Sequence, residues 1–295
     1  MTHPDVDHAA LRAESEAYFD AVPRTLARAE EFGPLTLFVP RDEGACRPRF
    51  ARPTPGATTR VTPADVTRVR ARQRELGLPE RYEWVAETTP ALRAAAEGAG
   101  LAIQEYPLMT LGPRETTAAE LPGDGVRVAL LDADAPELPG ALAVAGLVFG
   151  PPLPGVGGDP ADRVRLAGEI RRLTEDGTLS RTREEIHAGL LRVAAVIDPD
   201  GTVVCSGRHL PAVDATEIVG VATLPPARRR GLGLALTSAL ATDARTLGAR
   251  AVVLSAADDR VARLYARLGF RTIGTVLIAE PPHHPDREPA ACSGQ

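Results

Sequence analysis

The sequence predicts a mixed α/β protein built from two lobes. In the C-terminal half, short runs rich in Val, Ile and Leu form an antiparallel meander and then alternate with helical segments, a pattern typical of strands and helices that share a sheet. The strand, loop, helix and strand at 81–101 have the same layout as the segment at 250–270, although few residues are identical. Between the halves, residues 113–125 are rich in Pro, Gly and Thr, which indicates a domain boundary.

The elements of the N-terminal half follow from helical spacing and one clear helix start. Thr62-Pro63-Ala64-Asp65 begins a helix because it supplies a hydroxyl N-cap, a proline in the first turn and an acidic residue near the N-terminus. The predicted elements are one or two helices at 6–31, a strand at 35–39, a loop at 40–56, a helix at 62–76, a strand at 81–86, a helix at 90–99 and a strand at 101–109.

The C-terminal half alternates more regularly. Asp198-Pro199-Asp200-Gly201 separates two β-branched runs and is typical of a hairpin turn. The Pro- and Gly-rich loop at 150–159 is predicted to be mobile or to face a substrate. The remaining predicted elements are strands at 126–131, 191–197, 203–209, 216–224, 251–255 and 272–279, and helices at 136–149, 161–175, 183–189, 232–247 and 260–268. The predicted domains are residues 1–120 and 125–282, with a disordered tail at 283–295.

Composition excludes several classes of function. A net charge of −5 argues against nucleic acid or an anionic membrane as a partner. Cys46, Cys205 and Cys292 lie far apart without metal-like spacing, which predicts a reducing compartment and no metal site. The N-terminus lacks the apolar core of a secretory signal, and the longest apolar run, at 141–149, is too short to span a bilayer. These features predict a cytoplasmic protein.

The segment at 219–234 carries the strongest functional signal. It is predicted to be a strand, a basic turn containing Arg228, Gly231 and Gly233, and the first turn of a helix. Such a turn directs several backbone N–H groups at one point, where the helix dipole and the arginines add positive charge, so that it suits a phosphate or pyrophosphate. The glycines let the backbone approach a ligand closely. Taken alone, the motif is equally consistent with ordinary loop geometry.

A second motif runs from Asp258 through Tyr265 to Gly269-Phe270. In order, spacing and preceding strands, the two motifs together resemble the acetyl-CoA-binding motifs of the GNAT superfamily of N-acetyltransferases. The resemblance covers about residues 126–280 and implies a GNAT fold for that domain. It also implies acetyl-CoA as the cosubstrate, with no metal. A P-loop enzyme is excluded because all 34 basic residues are arginine, and no Gly-x-Gly-x-x-Gly follows a strand to suggest a Rossmann enzyme.

The resemblance assigns roles to individual residues. The strand ending at Thr223 would splay from the strand at 251–255 and pair with the pantetheine arm. Tyr265 matches the family tyrosine that hydrogen-bonds the departing CoA sulfur and returns a proton to it; the alternative is a core aromatic residue. Asp258 stands where the family usually has asparagine, and an ionised carboxylate there accepts a hydrogen bond or caps the helix but cannot donate. The predicted cofactor-binding residues are Val221, Ala222, Thr223, Arg228, Arg229, Arg230, Gly231, Leu232, Gly233, Leu234 and Asp258.

Direct transfer to an amine needs a group that takes the amine proton. Glu217 is the first candidate, since its position resembles that of the catalytic glutamate in the histone acetyltransferase branch. Period-two alternation places it on one face with Val219, Val221 and Thr223, where an apolar environment would raise its pKa. The alternatives are a hydrated strand-end glutamate, a proton route through water, and His209, which is otherwise a surface histidine. Cys205 is interpreted as a half-buried strand cysteine rather than an acyl carrier.

The N-terminal lobe resembles the degenerate half of a tandem GNAT protein. If 81–101 overlays 250–270, Ala96 occupies the place of Tyr265, and no Arg-x-x-Gly-x-Gly turn precedes it. This lobe is predicted to lack an acetyl-CoA site and to shape the acceptor cleft, with Glu83-Trp84 either at that cleft or in the core.

The leading hypothesis is therefore an N-acetyltransferase that moves acetyl directly from acetyl-CoA to a primary amine, predicted to be a small molecule. The alternative is an acyl-CoA-binding sensor or pseudoenzyme, with which Asp258 is compatible. The sequence leaves open the acceptor, the acyl length and the oligomeric state, because fold does not choose among them.

Overall fold

The structure is a computed structural model that describes residues 8–41, 48–112, 125–150, 159–212 and 214–282. The predicted boundary segment at 113–124, the loop residues 151–158 and the predicted tail at 283–295 lie outside the described residues. Within the described parts of the chain, helices and strands form a mixed α/β fold, as predicted.

The described elements follow one another in this order. The helices are α1 (His8–Leu26), α2 (Pro63–Glu75), α3 (Ala91–Gly98), α4 (Leu138–Phe149), α5 (Asp159–Glu175), α6 (Thr178–His187), α7 (Leu232–Thr246) and α8 (Asp259–Ala266), with a short 3₁₀ helix at Pro225–Ala227. The strands are β1 (Ala27–Phe32), β2 (Leu35–Pro40), β3 (Ala51–Pro53), β4 (Tyr82–Val85), β5 (Ala102–Leu111), β6 (Arg127–Leu131), β7 (Arg192–Ile197), β8 (Val203–Ala212), β9 (Ala215–Thr223), β10 (Ala251–Ser255) and β11 (Arg271–Glu280).

The chain divides into two compact units, each discontinuous in sequence. Unit 1 contains the described residues up to Thr110, Ser255–Ala262 and those from Thr272 onward, and unit 2 contains the described residues of Leu111–Leu254 and Arg263–Arg271. The strand order is β1-β2-β3-β4-β11-β5 in unit 1 and β10-β9-β8-β7-β6 in unit 2. The domain bounds at 120 and 125 remain a sequence prediction.

Unit 1 begins with a helix and a hairpin, so the helical prediction for 6–31 is wrong at its C-terminal end. Helix α1 ends at Leu26, and β1 pairs antiparallel with β2 along its whole length. The chain reverses at Gly33, whose φ of +68° is in the left-handed region that glycine adopts readily. The spacing of apolar residues did not predict β1, because the backbone groups of this strand are satisfied by hydrogen bonds to β2, which lies beyond the turn. Strand β3, inside the predicted loop at 40–56, similarly forms by pairing with β2 and β4.

Helix α2 begins as its sequence predicts. The Thr62 hydroxyl accepts a hydrogen bond from the Asp65 N–H at 3.4 Å, and the Asp65 carboxylate accepts one from the Thr62 N–H at 3.0 Å. This reciprocal capping box satisfies two N–H groups that the helix itself leaves without partners. The helix then buries Val66 and Val69 in the core of unit 1.

The last described strand, β11, lies between β4 and β5 in unit 1. It pairs antiparallel with β4 over Val276–Ala279, and Arg81 forms an ion pair with Glu280 at 2.7 Å. Leu277 joins the core cluster that contains Trp84. Both β4-α3-β5 and β10-α8-β11 thus have the strand, helix and strand plan predicted from sequence, and the second copy supplies a strand to unit 1.

Helix α7 and helix α4 cover opposite faces of the sheet in unit 2. Gly207 of β8 faces α7, because a Cβ built on it would lie 3.0 Å from the Leu236 Cδ2 atom. Ser206, the residue before Gly207, points to the other face of the sheet. It pairs with Ala195 and Ala222, and both of these alanines belong to the core cluster formed with α4, α5 and α6. Adjacent strand residues point to opposite faces, so each helix covers one of them.

A bulge interrupts the pairing of β8 with β9. Ser206 pairs with Ala222 and Arg208 pairs with Val219, so that Gly220 and Val221 together oppose only Gly207. Gly220 has a φ of +64°, which the bulge requires and which glycine adopts without steric cost. The extra residue reverses the facing of every side chain beyond it in β9.

We expect Gly220→Ala to lower the free energy of unfolding by about 1–2 kcal/mol, because a Cβ disfavours the left-handed backbone. Gly168→Ala is the matched control, since Gly168 lies in α5 and a Cβ added there would have nothing within 4 Å. Alanine is the better helix former by about 1 kcal/mol, so this control should gain stability. Urea unfolding of both variants measures the difference. A Gly220→Ala protein as stable as wild type would contradict the strained bulge.

Candidate active site

The turn between β9 and α7 has an unusual backbone. Arg229 has a φ of +66°, and it is the one non-glycine residue with positive φ in the part of the chain that the structure describes. Gly231 follows with a φ of +81° and stands at the N-cap of α7. A bulky residue in the left-handed region is costly, and such residues concentrate at functional sites.

Several backbone donors in this turn have no hydrogen-bond acceptor among the residues that the structure describes. Within the described ranges, no protein group accepts a hydrogen bond from the N–H groups of Arg229, Gly231, Leu232 or Gly233. They lie at the start of α7, a helix of 15 residues whose dipole places partial positive charge there. Successive N–H donors in a turn with left-handed residues form a concave anion site. The turn therefore has the donors that a phosphate or pyrophosphate requires.

The arginine side chains of the turn contribute less than the sequence predicts. Arg228 donates from Nε to the Thr223 carbonyl at 3.1 Å, and Arg230 pairs with Asp198 at 3.2 Å. Arg229 is exposed and has no ion-pair partner among the residues with described positions. Backbone N–H groups, rather than three guanidinium groups, form the centre of the candidate anion site.

The strands beside the turn part at the expected place. Strand β10 pairs with β9 in parallel from Ala251–Ala215 to Val253–Glu217, while β9 continues to Thr223. The ladder ends at Glu217, as the predicted splay requires. The backbone of Val221, Ala222 and Thr223 lies beyond that point.

Helix α7 packs its first turn against the part of β9 that lies beyond the β10 ladder. A Cβ on Gly233 would lie 3.7 Å from the Val221 Cγ1 atom and 3.8 Å from the Thr223 hydroxyl. The anion site of the turn and the open strand segment are therefore neighbours in unit 2.

Tyr265, on α8, is partly buried. Its pKa is raised to about 12, mainly by burial. The ring also contacts Phe270, with centroids 6.0 Å apart. The hydroxyl is therefore protonated at neutral pH and can donate to an acceptor. Tyr265 is compatible with both interpretations from the sequence, the proton donor and the core aromatic residue, because a packed tyrosine ring also presents a polar hydroxyl.

Cys205 lies on the α7 face of β8, where it pairs with Thr223 of β9. Burial raises the pKa of its thiol to about 11, and the Thr223 hydroxyl donates to its sulfur at 3.2 Å. A thiolate is the reactive form of cysteine, so this thiol is poorly suited to carry an acyl group at neutral pH. Cys205 is thus a strand cysteine, as predicted, but its side chain is fully buried rather than half-buried.

Glu217 lies on the opposite face of the sheet from Thr223. Glu217 pairs with Leu210, whereas Thr223 pairs with Cys205, and the bulge between them changes the alternation. The prediction that Glu217 shares a face with Val221 and Thr223 is therefore wrong, while the shared face of Glu217 and Val219 is confirmed. Glu217 is half-buried at the point where β9 and β10 part.

His209 is not the surface histidine that the sequence suggested. Its side chain is 0% exposed, with Nε2 2.9 Å from the Asp243 carboxylate and Nδ1 2.8 Å from the Thr216 hydroxyl. A carboxylate only accepts, so Nε2 donates to it and Nδ1 accepts from Thr216. Both ring nitrogens are occupied, which leaves neither placed to take a proton from an amine.

The same carboxylate ties α7 to β7. Arg192 donates to Asp243 from two nitrogens, at 3.0 and 3.1 Å. Burial disfavours the Asp243 carboxylate, yet the hydrogen bonds from Arg192 and His209 hold its pKa below the usual value. Burial also lowers the pKa of His209 more strongly than Asp243 raises it. Sequence reasoning missed this network because its members are distant along the chain.

The structure places three other predicted residues as follows. The Asp258 carboxylate accepts from the Val261 N–H at 2.7 Å, so it caps α8, one of the two roles left open for it. In unit 1, Ala96 is fully buried and Trp84 lies in the core cluster. Trp84 therefore has the core position, rather than the cleft position, of its two predicted alternatives.

Neither a metal-holding cluster nor a long apolar helix occurs among the residues that the structure describes. No group of three or more His, Cys, Asp or Glu side chains there is arranged to hold a metal ion. No helix there is long and apolar enough to cross a bilayer.

Comparisons with known proteins agree on the fold. A sequence model of the FR47-like protein family matches residues 208–278. The structure resembles a GCN5-related N-acetyltransferase from Kribbella flavida, with 23% identity, a TM-score of 0.67, and coverage of 92% of this chain and 96% of that one. It also resembles a tandem GNAT protein from the clavulanic acid biosynthesis pathway (17% identity, TM-score 0.51, coverage 85% and 79%). No curated protein sequence matches the chain significantly.

A third solved structure also matches over nearly the full length of the chain. It is a GCN5-related N-acetyltransferase-like protein from Streptococcus suis, with 13% identity, a TM-score of 0.52, and coverage of 91% of this chain and 99% of that one. The chain thus has a GNAT-type fold, with a tandem GNAT protein among its structural neighbours, and the resemblance seen in the two sequence motifs is confirmed.

The buried His209 predicts a specific acid sensitivity. Its pKa is lower in the folded protein than in the unfolded chain, so the unfolded chain binds more protons and stability falls as the pH decreases below about 6.5. His209→Gln removes this titration, and we expect a shallower loss of unfolding free energy just below that pH. Urea unfolding across the range measures the slope, with exposed His187→Gln as control. Equal slopes for His209→Gln and wild type would contradict the assignment.

Proposed function

We propose that the protein is an acetyl-CoA-dependent N-acetyltransferase that transfers acetyl directly to a primary amine of a small molecule. The observation that carries the proposal is the arrangement along α7. Its first turn and the residues before it have four backbone N–H groups without an acceptor among the described residues, and that turn packs against the part of β9 that lies beyond the β10 ladder. A phosphate-binding turn of this kind, together with a proton donor in Tyr265 of α8, suits a thioester of a nucleotide-bearing carrier.

The backbone donors of the turn and of β9 fit acetyl-CoA. The turn from Arg228 to Leu234 would hold the pyrophosphate through N–H groups that lack acceptors in the described part of the protein. The β9 backbone at Val221–Thr223, beyond the end of the β10 ladder, would pair with the pantetheine amides. Asp258 would act indirectly, by capping α8, which carries Tyr265.

The chemistry divides between an acid and a base. The acetyl group is activated as a thioester, and an amine attacks it only in the neutral form. Glu217, at the end of the β9–β10 ladder, is the proposed group that removes the amine proton, directly or through water. Tyr265 donates a hydrogen bond to the departing sulfur and then its proton. Its raised pKa keeps that proton in place until negative charge develops on sulfur.

The proposed setting follows from the same chemistry. The acceptor is a small molecule, and neither nucleic acid nor a membrane is a proposed partner, since the net charge is −5. A cytoplasmic location is proposed because the scattered cysteines fit a reducing compartment.

Release of CoA with a panel of amines, followed by mass spectrometry of the product, tests the reaction. Acetyl-CoA binding without any CoA release would favour the sensor alternative and contradict the enzyme.

The turn predicts a selective effect on binding. Gly231→Ala should raise the Kd for acetyl-CoA about tenfold or more, since a Cβ would intrude where the backbone approaches the phosphates. Gly189→Ala is the matched control, because Gly189 has a φ of +71° and, like Gly231, no atom within 4 Å of an added Cβ. The control should bind acetyl-CoA normally in isothermal titration. Equal Kd values for both variants would remove the turn from the binding site.

The tyrosine predicts a selective effect on rate. Tyr265→Phe should lower kcat roughly 100-fold or more, the range for loss of a general acid, while the Kd for acetyl-CoA stays nearly unchanged. Tyr106→Phe is the control, because the Tyr106 hydroxyl bonds Gln104 in unit 1. Stopped-time CoA release at saturating amine gives kcat for each. A Tyr265→Phe variant with the wild-type kcat would exclude Tyr265 as the acid.

A further inference from the structure

An ion pair joins the turn before α7 to the hairpin between β7 and β8. The Arg230 Nη2 atom donates to the Asp198 Oδ1 atom at 3.2 Å. The two side chains are 30% and 26% exposed, so solvent screens the pair only in part. The sequence motifs name Arg230 as a cofactor ligand and give Asp198 no role beyond a hairpin turn.

The Asp198 end of this pair lies in a hairpin that its own hydrogen bonds hold in shape. The Asp198 N–H donates to the Thr202 carbonyl at 2.9 Å, and the Asp198 carbonyl accepts from the Gly201 N–H at 2.9 Å. The Asp200 carboxylate accepts from the Thr202 N–H at 2.9 Å. These bonds involve only the hairpin, so Asp198 offers Arg230 an anchor that does not depend on the turn before α7.

The Arg230 end lies next to the left-handed residue of the turn. Arg229 has a φ of +66°, a conformation that is costly for a residue with a Cβ. On its other side, Arg228 donates to the Thr223 carbonyl of β9 at 3.1 Å. Both neighbours of Arg229 are therefore attached by their side chains to elements outside the turn, one to β9 and the other to the hairpin.

The conformation of Arg229 affects the proposed phosphate site directly. Backbone that alternates between right- and left-handed residues makes successive N–H groups converge on one point. If Arg229 relaxed to a negative φ, its N–H group and that of Gly231 would no longer point to a common ligand. A side-chain attachment that disfavours this relaxation keeps the donors aligned in the absence of ligand.

We propose that Asp198 is a positioning residue for the phosphate site: by holding Arg230, it keeps Arg229 left-handed and the N–H groups of the turn convergent before the ligand binds. This inference rests on the proposed binding of acetyl-CoA. The direct effect of the Asp198 carboxylate on nearby phosphates is repulsion, which weakens binding. Its positioning effect strengthens binding, because a site formed in advance has a smaller ordering cost. The two effects have opposite signs, so the change in affinity distinguishes them.

The first test measures the Kd for acetyl-CoA by isothermal titration. Asp198→Asn removes the charge and keeps the side-chain shape, and we expect Kd to rise about three- to fivefold, the upper range for a partly exposed ion pair. Asp198→Glu keeps the charge and should restore most of the affinity. Asp200→Asn is the matched control, because it removes an equal charge from the same hairpin and asparagine still accepts from the Thr202 N–H. Its Kd should not rise. A lower or unchanged Kd for Asp198→Asn overturns the positioning role.

The second test asks whether Asp198 acts through Arg229. Glycine adopts a positive φ readily, so the Arg229→Gly protein should not need the attachment. Adding Asp198→Asn to it should leave Kd within about twofold of the Arg229→Gly value, and the lost Arg229 charge cancels because both proteins lack it. A full three- to fivefold effect in this background would contradict the proposal.

The third test needs no ligand. The one-bond coupling between Cα and Hα of Arg229, measured by NMR, depends on the sign of φ. We expect a value typical of positive φ in the wild type, Asp198→Glu and Asp200→Asn, and a shift toward negative φ in Asp198→Asn. An unshifted coupling in Asp198→Asn overturns the proposal. A shifted coupling in a protein that binds no acetyl-CoA would instead reject the proposed function and, with it, the role of Asp198 in binding.

Discussion

Helix α7 lies as close to β8 as it does because residue 207 has no side chain. A Cβ on Gly207 would lie 3.0 Å from Leu236, 3.2 Å from Val221 and 3.3 Å from Leu240, which is tighter than most real Cβ contacts. That approach brings the α7 backbone and side chains onto the face of the sheet that holds Cys205 and Thr223. The candidate anion site and the His209–Asp243 contact both depend on it, since each includes a residue of α7 or of the turn before it.

The two ends of α7 differ in how their polar groups are satisfied. Toward its C-terminal end, Asp243 accepts from Arg192 and His209, so that a partly buried carboxylate is paired on both sides and anchors the helix to β7 and β8. At its N-terminal end the backbone donors are unsatisfied by the described parts of the protein. A helix fixed at one end and unsatisfied at the other can take an anionic ligand without moving, which reduces the ordering cost of binding.

The resemblance between the two halves of the chain extends to layout but not to chemistry. Both β4-α3-β5 and β10-α8-β11 follow the strand, helix and strand plan. At the place of Tyr265, however, unit 1 has the fully buried Ala96, and its tryptophan lies in the core. The one site proposed for this chain therefore lies in unit 2, and the absence of an acetyl-CoA site from the N-terminal lobe stays a prediction.

The sequence by itself determined what depends on local pattern: the mixed α/β class, the capping box at Thr62, and the turn and tyrosine motifs that resemble the GNAT superfamily. These follow from residues within a few turns of one another, whose spacing and conformational preferences are readable in one dimension. Tertiary structure alone decided the hairpin at 27–40, the position of β11, the face on which Thr223 lies and the burial of His209. Each of these depends on a partner distant in sequence or on a one-residue bulge, and neither hydrophobic spacing nor composition records which distant groups a fold brings into contact.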